Sequence, residues 1–292
     1  MDVKCLRSVL YVPGSNVKAL AKAAQRGADC LILDLEDGVA PETKAAAREN
    51  VAGFMRGLAG GENKIVIRIN GLESDWARAD LEMLAGTRAG AVLLPKVEGA
   101  QDVHAAAAAM KVAGVDEEMR LWVMMETPLA MLKVQEIAAC AHGAGYPLAA
   151  MVIGTNDLYA ELRAQVTPDR VAIAGLLGSC VAAARAYDLD VVDGVYNDFA
   201  DISGFEAECR QGRVLGMDGK SLIHPAQVEP CNRIFSPDDS EIRWARDIVR
   251  AFSLPENSGK GAISIDGQMV EHLHLENAKR VLRLAAASAP KG

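Results

Sequence analysis

Short apolar runs alternate with longer amphipathic segments along most of the chain. Eight runs of mostly hydrophobic residues predict β-strands, at residues 7–12, 29–35, 64–70, 90–95, 119–126, 148–154, 189–194 and 214–220. Helical spacing follows them, for example at residues 16–26, 41–59, 99–113 and 127–141. Runs that are apolar almost throughout are typical of strands buried on both faces of a parallel sheet.

Eight strand–helix units in about 225 residues predict an α/β fold, a (β/α)8 TIM barrel, with a doubly wound open sheet as the alternative. Polar residues, glycine and proline collect where the runs end, in YVPGSN, LEDG, RINGL, PKVE, METP, GTND, DGVYND and GKSLIHP. Each alone is explained as well by a helix cap or a turn. In a barrel, however, these ends meet on the face that carries active sites, and together they favour a shared site.

The pattern changes after residue 236. Residues 236–252 predict a capped amphipathic helix, a Gly/Ser/Pro-rich turn follows at 253–264, and residues 265–288 predict a short strand and a closing helix. We therefore predict a catalytic barrel domain at 1–236 and a C-terminal helical extension at 237–292. The glycine-rich entry suggests a lid or an inter-subunit arm.

Composition narrows the class of partners and the compartment. The 292 residues carry a net charge of −8 without a basic run, which argues against nucleic acid and anionic membranes as partners. The six cysteines form no CxxC pair, so we expect a reducing, cytoplasmic location. The N-terminal stretch does not fit a signal peptide, and no run reaches the roughly 18 apolar residues of a membrane span.

Two acidic residues suggest a metal site. Glu126 in METP and Asp157 in GTND follow adjacent predicted strands, which in a sheet lie about 4.8 Å apart. Two carboxylates with water fit Mg²⁺, although both residues could instead cap the helices that follow. Glu36 and Asp37, which end a buried strand side by side, would then accept hydrogen bonds from metal-bound water.

Other charged residues point to anion binding. Arg68, in an otherwise apolar strand, suggests a bidentate contact with a carboxylate; an internal salt bridge to Glu36 or Asp37 is the alternative, and both can hold at once. We interpret Lys96 in PKVE as structural. The PGSN turn with Lys22 gives a weak signal for a phosphate or polar tail, and His224 is otherwise explained as a turn residue before proline.

The ordered stretches RSVLYVPGSN, LDLEDGVAP, RINGL, PKVE, METP, GTNDL and GKSLIHPAQV resemble the citrate lyase β-subunit-like acyl-CoA lyases of the HpcH/HpaI aldolase superfamily, which includes malyl-CoA and citramalyl-CoA lyases. The resemblance covers nearly the whole chain. It implies a (β/α)8 barrel, Mg²⁺ dependence, and a homotrimer or hexamer whose C-terminal segments reach across subunits.

The resemblance also implies roles for individual residues. Glu126 and Asp157 match the metal ligands, Arg68 the clamp on the keto-acid carboxylate, and Glu36 and Asp37 the carboxylates that hold metal-bound water. The remaining matches lie where the family contacts the substrate and its CoA part: Tyr11, Lys22, Asn156, Ile223 and His224. The sequence departs from the family at GQMVEHLHL, where Glu271 stands in place of the aspartate that acts as the acid/base of the lid.

We therefore expect a Mg²⁺-dependent carbon–carbon lyase that cleaves a 3-hydroxyacyl-CoA into a 2-oxo acid and an acyl-CoA by retro-Claisen chemistry. Glu271, Arg68, Glu36 and Asp37 are its candidate catalytic residues. The alternatives are a thioester hydrolase of the malyl-CoA thioesterase kind, a CoA-binding non-catalytic subunit of a lyase complex, and an aldolase that uses a free keto acid.

Overall fold

The computed structural model describes residues 5–58, 64–143 and 145–288. They form two compact units. The first consists of Leu6–Asn232, and the second contains the residues from Arg233 onward together with Cys5.

The first unit is a closed barrel of eight parallel strands. Its strands are β1 Ser8–Pro13, β2 Cys30–Asp34, β3 Ile65–Arg68, β4 Ala91–Leu94, β5 Arg120–Met125, β6 Leu148–Ile153, β7 Asp190–Asp193 and β8 Gly219–Leu222. β1 pairs with β2 on one side and with β8 on the other, which closes the sheet. The predicted α/β barrel is confirmed, and the open-sheet alternative is wrong.

Helices follow the strands in the order that the spacing predicts. They are α1 Val17–Ala23, α2 Lys44–Gly57, α3 Ala77–Ala85, α4 Ala100–Ala113, α5 Pro128–Leu132, α6 Val134–Ala138, α7 Thr155–Leu162, α8 Ala174–Ala186, α9 Ile202–Leu215 and α10 Val228–Phe235. The predicted helix at 127–141 is broken, because Lys133 leaves helical geometry between α5 and α6. Residue 59, the predicted end of the second helix, lies outside the described residues.

The eighth strand differs from its predicted position at 214–220. Val214 and Leu215 belong to α9, which ends where Gly216 adopts a left-handed conformation with φ of 96°. The strand itself begins only at Gly219. Apolar residues at a helix end and at the following strand start are contiguous in sequence, so hydrophobicity alone did not separate them.

Alternate residues of the strands fill the barrel interior. A buried cluster contains Val9, Cys30, Ile32, Val66, Ala91, Leu93, Trp122, Met124, Ala150, Val152 and Val192, with Tyr11 packed against it. Side chains in a strand alternate between the two faces. Continuing this alternation toward the carboxyl ends places Tyr11, Asp34, Arg68 and Glu126 on the inward face, at the mouth of the barrel.

The second unit contains a helix, a hairpin and a final helix. Helix α11, Asp239–Ser253, begins with a capping box in which Asp238 accepts from two backbone N–H groups. A β-hairpin, β9 Ala262–Ile265 and β10 Gln268–Glu271, replaces the single predicted strand, and α12 spans His272–Ser288. Buried residues of all these elements pack into one core. In the described part of the chain, no helix combines the length and the apolar character that crossing a membrane would require.

The closure of the barrel predicts the effect of one substitution. A Cβ added at Gly219 would collide with the backbone oxygens of Leu6 and Arg7, and backbone yields less readily than a side chain. We expect Gly219→Ala to lower the free energy of unfolding by about 3 kcal/mol in a denaturant titration. Gly178→Ala, in α8 where nothing approaches the new methyl group, should instead stabilise by up to about 1 kcal/mol. Equal effects of the two variants would contradict this account.

Candidate active site

An ion pair between Arg68 and Asp34 occupies the barrel mouth. Arg68 ends β3 and Asp34 ends β2, and the two residues are register partners. Arg68 donates from Nε and Nη2 to the two carboxylate oxygens of Asp34, each at 2.7 Å. The backbone N–H groups of Glu36 and Gly38 donate to the same two oxygens at 2.9 Å. Asp34 therefore fixes both the guanidinium and the turn after β2.

Glu36 and Asp37 lie on the other side of the guanidinium. Arg68 Nη1 is 2.9 Å from Glu36 and 4.0 Å from Asp37, so the internal salt bridge that the sequence left as an alternative exists. Burial opposes ionisation of Arg68, but Asp34 outweighs it and raises the arginine pKa above its ordinary value. Burial raises the pKa of Glu36 to about 7, although Arg68 counteracts the rise. Since Asp34 takes the stronger share of Arg68, Glu36 is only partly compensated.

Lys44 anchors the turn that carries these acids. Its side chain is buried at the start of α2, and Nζ donates to the carbonyl oxygens of Leu35 and Glu36 at 2.9 and 3.0 Å. The ammonium also lies 4.9 Å from the centre of the Trp76 ring. It holds the backbone of Glu36 while leaving the carboxylate directed at Arg68.

Tyr11 closes the floor of the mouth. Its ring lies 5.0 Å from the Arg68 guanidinium, and its hydroxyl contacts Met124 Sδ at 3.4 Å. Burial raises the pKa of this phenol well above its ordinary value, so it stays protonated. Tyr11 thus separates the charged mouth from the apolar interior.

Glu126 and Asp157 face a single cation. Glu126 follows β5 and is 2% exposed, and it accepts from the backbone N–H of Lys96 at 2.7 Å. Lys96, with a left-handed φ of 53°, places its ammonium 3.8 Å from Glu126 and in contact with Asp157 in the first turn of α7. Burial raises the pKa of Glu126. A Cβ at Gly154 would collide with Glu126, so the glycine makes room for this side chain.

These residues fit a divalent cation. Five carboxylates surround two cations, Arg68 and Lys96, in the ion pairs of the mouth. A positive charge already lies against both Glu126 and Asp157, which marks the place that a metal ion would take. Within the described ranges no three His, Cys, Asp or Glu side chains form a metal-binding group. A two-carboxylate site that keeps water ligands suits Mg²⁺ better than a closed protein cage.

A second group of predicted site residues lies in the segments that follow β6, β7 and β8. The side-chain amides of Asn156 and Asn197 donate to each other at 3.2 and 2.7 Å. The His224 ring stacks on Phe199, with centroids 4.8 Å apart and planes inclined by 17°, while Ile223 is 40% exposed. His224 Nδ1 also accepts from the N–H of Ala226 at 3.2 Å, which supports the turn interpretation, while its binding role stays a prediction.

Two further candidates, Lys22 and Glu271, belong to other elements. Lys22 is exposed in the last turn of α1, and across the described residues no hydrogen bond or ion pair links it to the mouth. Glu271 ends β10 in the second unit, where its backbone N–H donates to His274 Nδ1 at 2.9 Å. The roles of both residues therefore stay predictions.

The sequence interpretation missed several functional neighbours. Asp34 lies within an apolar run and was not recognised as a site residue. It shares one face of β2 with Cys30 and Ile32, so the alternation along the strand already predicts that it points into the barrel. Lys44 has the pattern of a charged residue on the exposed face of a helix, and Phe199 that of an isolated loop residue. Lys96, interpreted as structural, contacts both predicted metal ligands. Lys220 in GKSLIHP is fully buried and pairs with Asp193.

A model of the HpcH/HpaI aldolase/citrate lyase family matches residues 7–225. The chain belongs to this family. It is 46% identical to a (3S)-malyl-CoA thioesterase of Cereibacter sphaeroides, a match that covers 97% of this chain and 95% of that protein. An L-malyl-CoA/beta-methylmalyl-CoA lyase of the same organism is 33% identical, with 96% and 94% covered.

A solved structure in the HpcH/HpaI family resembles the whole chain. CitE from Mycobacterium tuberculosis, crystallised with magnesium, acetoacetate and coenzyme A, matches with a TM-score of 0.77 and 31% identity. The match covers 96% of this chain and 97% of that one. The predicted resemblance is confirmed. HpcH/HpaI relatives include a hydrolase and a lyase of CoA thioesters, so membership alone does not choose between the two reactions.

Glu36 gives a pH-dependent stability that can be measured. Its pKa in the folded protein, about 7, lies above the ordinary 4.5, so the folded state holds this proton more tightly than the unfolded state. Stability from this group is therefore complete below pH 4.5 and is lost as the pH rises to 7. With a chelator present, we expect Glu36→Gln to gain up to about 3 kcal/mol on the parent across this window.

The control for this measurement is Glu82→Gln, which changes an exposed carboxylate on α3. Its unfolding free energy should follow the parent at every pH. Parallel curves for the parent and Glu36→Gln would show that Glu36 titrates alike in both states and would contradict the prediction.

Proposed function

We propose that this protein is a Mg²⁺-dependent hydrolase of a 3-hydroxyacyl-CoA thioester, with malyl-CoA as the substrate class. The observation that carries the proposal is the 46% identity to a (3S)-malyl-CoA thioesterase over nearly the full length of both chains. The lyase expected from the motifs becomes the second candidate, supported by the 33% identity to a malyl-CoA lyase and by the same mouth residues.

Arg68 is the proposed anchor for the free carboxylate of the acyl group. Asp34 occupies its Nε/Nη2 edge, so a ligand carboxylate approaches from the Nη1/Nη2 end, beside Glu36. The pair with Asp34 fixes the plane of the guanidinium in advance and so reduces the ordering that binding requires. A lysine could not reproduce this planar geometry.

Glu126 and Asp157 are the proposed ligands of Mg²⁺. A bound divalent ion would polarise a substrate oxygen as a Lewis acid. Lys96, which lies against both carboxylates, would have to give up this place to the ion.

Glu36 is the proposed base for hydrolysis. Its pKa of about 7 suits proton transfer near neutral pH, because both protonation states are populated there. Water adds its oxygen to the thioester carbonyl carbon and gives its proton to Glu36. The carbon–sulfur bond then breaks, and the CoA thiolate leaves and takes up a proton. The sum is thioester plus water giving malate and free CoA.

The exposed Phe199–His224 stack and Ile223 are proposed to contact the CoA part, with Asn156 beside them. Lys22 is proposed as a more distant contact of the CoA part. A homotrimer or hexamer remains a proposal from the resemblance, and light scattering after gel filtration tests it. A cytoplasmic location remains a proposal from the cysteine pattern.

Product analysis tests the proposed reaction. With malyl-CoA and Mg²⁺, we expect mass spectrometry to find malate and free CoA in equal amounts. Acetyl-CoA and glyoxylate without free thiol would overturn hydrolysis in favour of the lyase. A chelator, Glu126→Gln and Asp157→Asn should each reduce turnover by about 100-fold or more, because Lewis-acid stabilisation contributes several kcal/mol. The exposed variant Glu82→Gln should match the parent.

A variant series at Glu271 separates the two reactions further. Carbon–carbon cleavage leaves an enolate that needs a proton, whereas hydrolysis forms none. Glu271→Gln should therefore leave the formation of free CoA unchanged and abolish any acetyl-CoA that the parent forms, and Glu271→Asp should behave like the parent. Acetyl-CoA formation by Glu271→Gln at the parental rate would remove Glu271 from carbon–carbon cleavage.

A further inference from the structure

Three charged side chains that the reaction does not use are buried outside the barrel interior, and a fourth, Glu208, is half-buried beside them. Arg170 is 2% exposed, and Asp193 and Lys220 are fully buried. Because Val192 faces the interior, its neighbour Asp193 faces the helices, where Glu208 projects from α9. Arg170 Nη1 donates to both oxygens of Asp193 at 2.7 and 2.9 Å. Lys220 Nζ donates to Asp193 at 3.2 Å and to Glu208 at 2.6 Å.

The charges of this cluster balance, but the balance does not make the cluster stabilising. Two cations face two carboxylates, and Asp193 keeps a lowered pKa because Lys220 and Arg170 outweigh its burial. Replacing a buried ionic network by apolar residues is often neutral or stabilising. We therefore expect the role of the cluster to lie in the contacts that it makes with its surroundings.

The cluster holds the backbone where β7 ends. Asp193 Oδ1 accepts from the N–H of Gly194 at 2.8 Å, and Lys220 Nζ donates to the carbonyl of Gly194 at 2.5 Å. The hydroxyl of Ser221 donates to the carbonyl of Asp193 at 2.8 Å. Both polar groups of the Gly194 backbone are thus bound to charged side chains.

Gly194 in turn abuts the start of α7. A Cβ at Gly194 would collide with the hydroxyl and the methyl group of Thr155, which is 5% exposed. Asp157 follows two residues later in the same first turn. The loop after β7 touches this turn a second time through the paired amides of Asn156 and Asn197.

The same cluster also forms hydrogen bonds with the chain that follows α7. Arg170 follows this helix with a left-handed φ of 52°, a backbone conformation that persists only where the surroundings enforce it. Its Nε donates to Gln211 of α9, and Gln211 donates to the carbonyl of Asp169 at 2.6 Å. The cluster therefore acts on α7 at two places: on its first turn through Gly194 and Thr155, and on the chain that follows the helix through Arg170 and Gln211.

We propose that Arg170, Asp193, Glu208 and Lys220 are positioning residues for Asp157. Through Gly194 and Thr155 they set the first turn of α7, and with it the carboxylate, against Glu126. The inference rests on the proposed function, in which Asp157 binds the metal ion.

Metal affinity with Mn²⁺ as the probe tests this inference, measured by electron paramagnetic resonance without substrate. We expect Lys220→Met to weaken Mn²⁺ binding by about 10-fold, since groups that orient metal ligands typically contribute this much. The matched control is Arg7→Met, which breaks the side-chain ion pair with Asp29 at 2.8 Å just before β1 and keeps the carbonyl that accepts from the Lys220 N–H. It should lower the thermal midpoint without changing Mn²⁺ affinity. Lower midpoints in both variants with unchanged Mn²⁺ affinity would overturn the inference.

Gly194→Ala provides a second test that keeps every charge. The new methyl group displaces Thr155, so Mn²⁺ affinity should again fall about 10-fold, and adding Thr155→Ala should restore most of it. Unchanged affinity in Gly194→Ala would overturn the inference even if Lys220→Met does not fold.

Asp157→Asn distinguishes a failure of the metal assignment from a failure of the positioning role. Parental Mn²⁺ affinity in Asp157→Asn would overturn the metal assignment together with this inference. Weaker Mn²⁺ binding in Asp157→Asn, with parental affinity in Lys220→Met and Gly194→Ala, would overturn only the positioning role.

Discussion

The barrel mouth depends on the bidentate pair between Asp34 and Arg68. Both charges are nearly dry, and an ion pair in such a place is tolerated only when its geometry is good and the remaining polar atoms are satisfied. Asp34 meets this condition with four donors, two from Arg68 and two from the turn after β2. Removing either partner would leave an uncompensated charge and would release the turn that carries Glu36.

The strength of this pair decides the character of its neighbours. Burial raises the pKa of Glu36 to about 7, and Arg68, although 2.9 Å away, does not cancel this rise because its guanidinium is committed to Asp34. Among the residues that the structure describes, Glu126 and Asp157 form ion pairs only with Lys96. The mouth thus carries more negative than positive charge, which suits a divalent cation.

Much of this fold could be predicted because the information is local. Apolar runs gave the strands, and the polar residues at their ends gave the mouth, including Glu126, Asp157 and Arg68. The eighth strand was misplaced because Val214 and Leu215 continue an apolar pattern through a helix end. The pair between Arg68 and Glu36 was foreseen as an alternative. The main partner of Arg68, Asp34, was not foreseen, since that pairing is set by the register of β2 and β3. The cluster of Arg170, Asp193, Glu208 and Lys220 joins four separate segments, and no local pattern predicts contacts of that range.

The contact between Gly154 and Glu126 has a consequence for how this sequence can change over generations. Any side chain at position 154 would overlap Glu126, and the atom it would meet first is the Glu126 Cβ. Every residue except glycine carries a Cβ, so shortening the acid at position 126 to aspartate gives no room for alanine at position 154. Glycine must therefore persist at position 154 through any change at position 126 that keeps a side chain there.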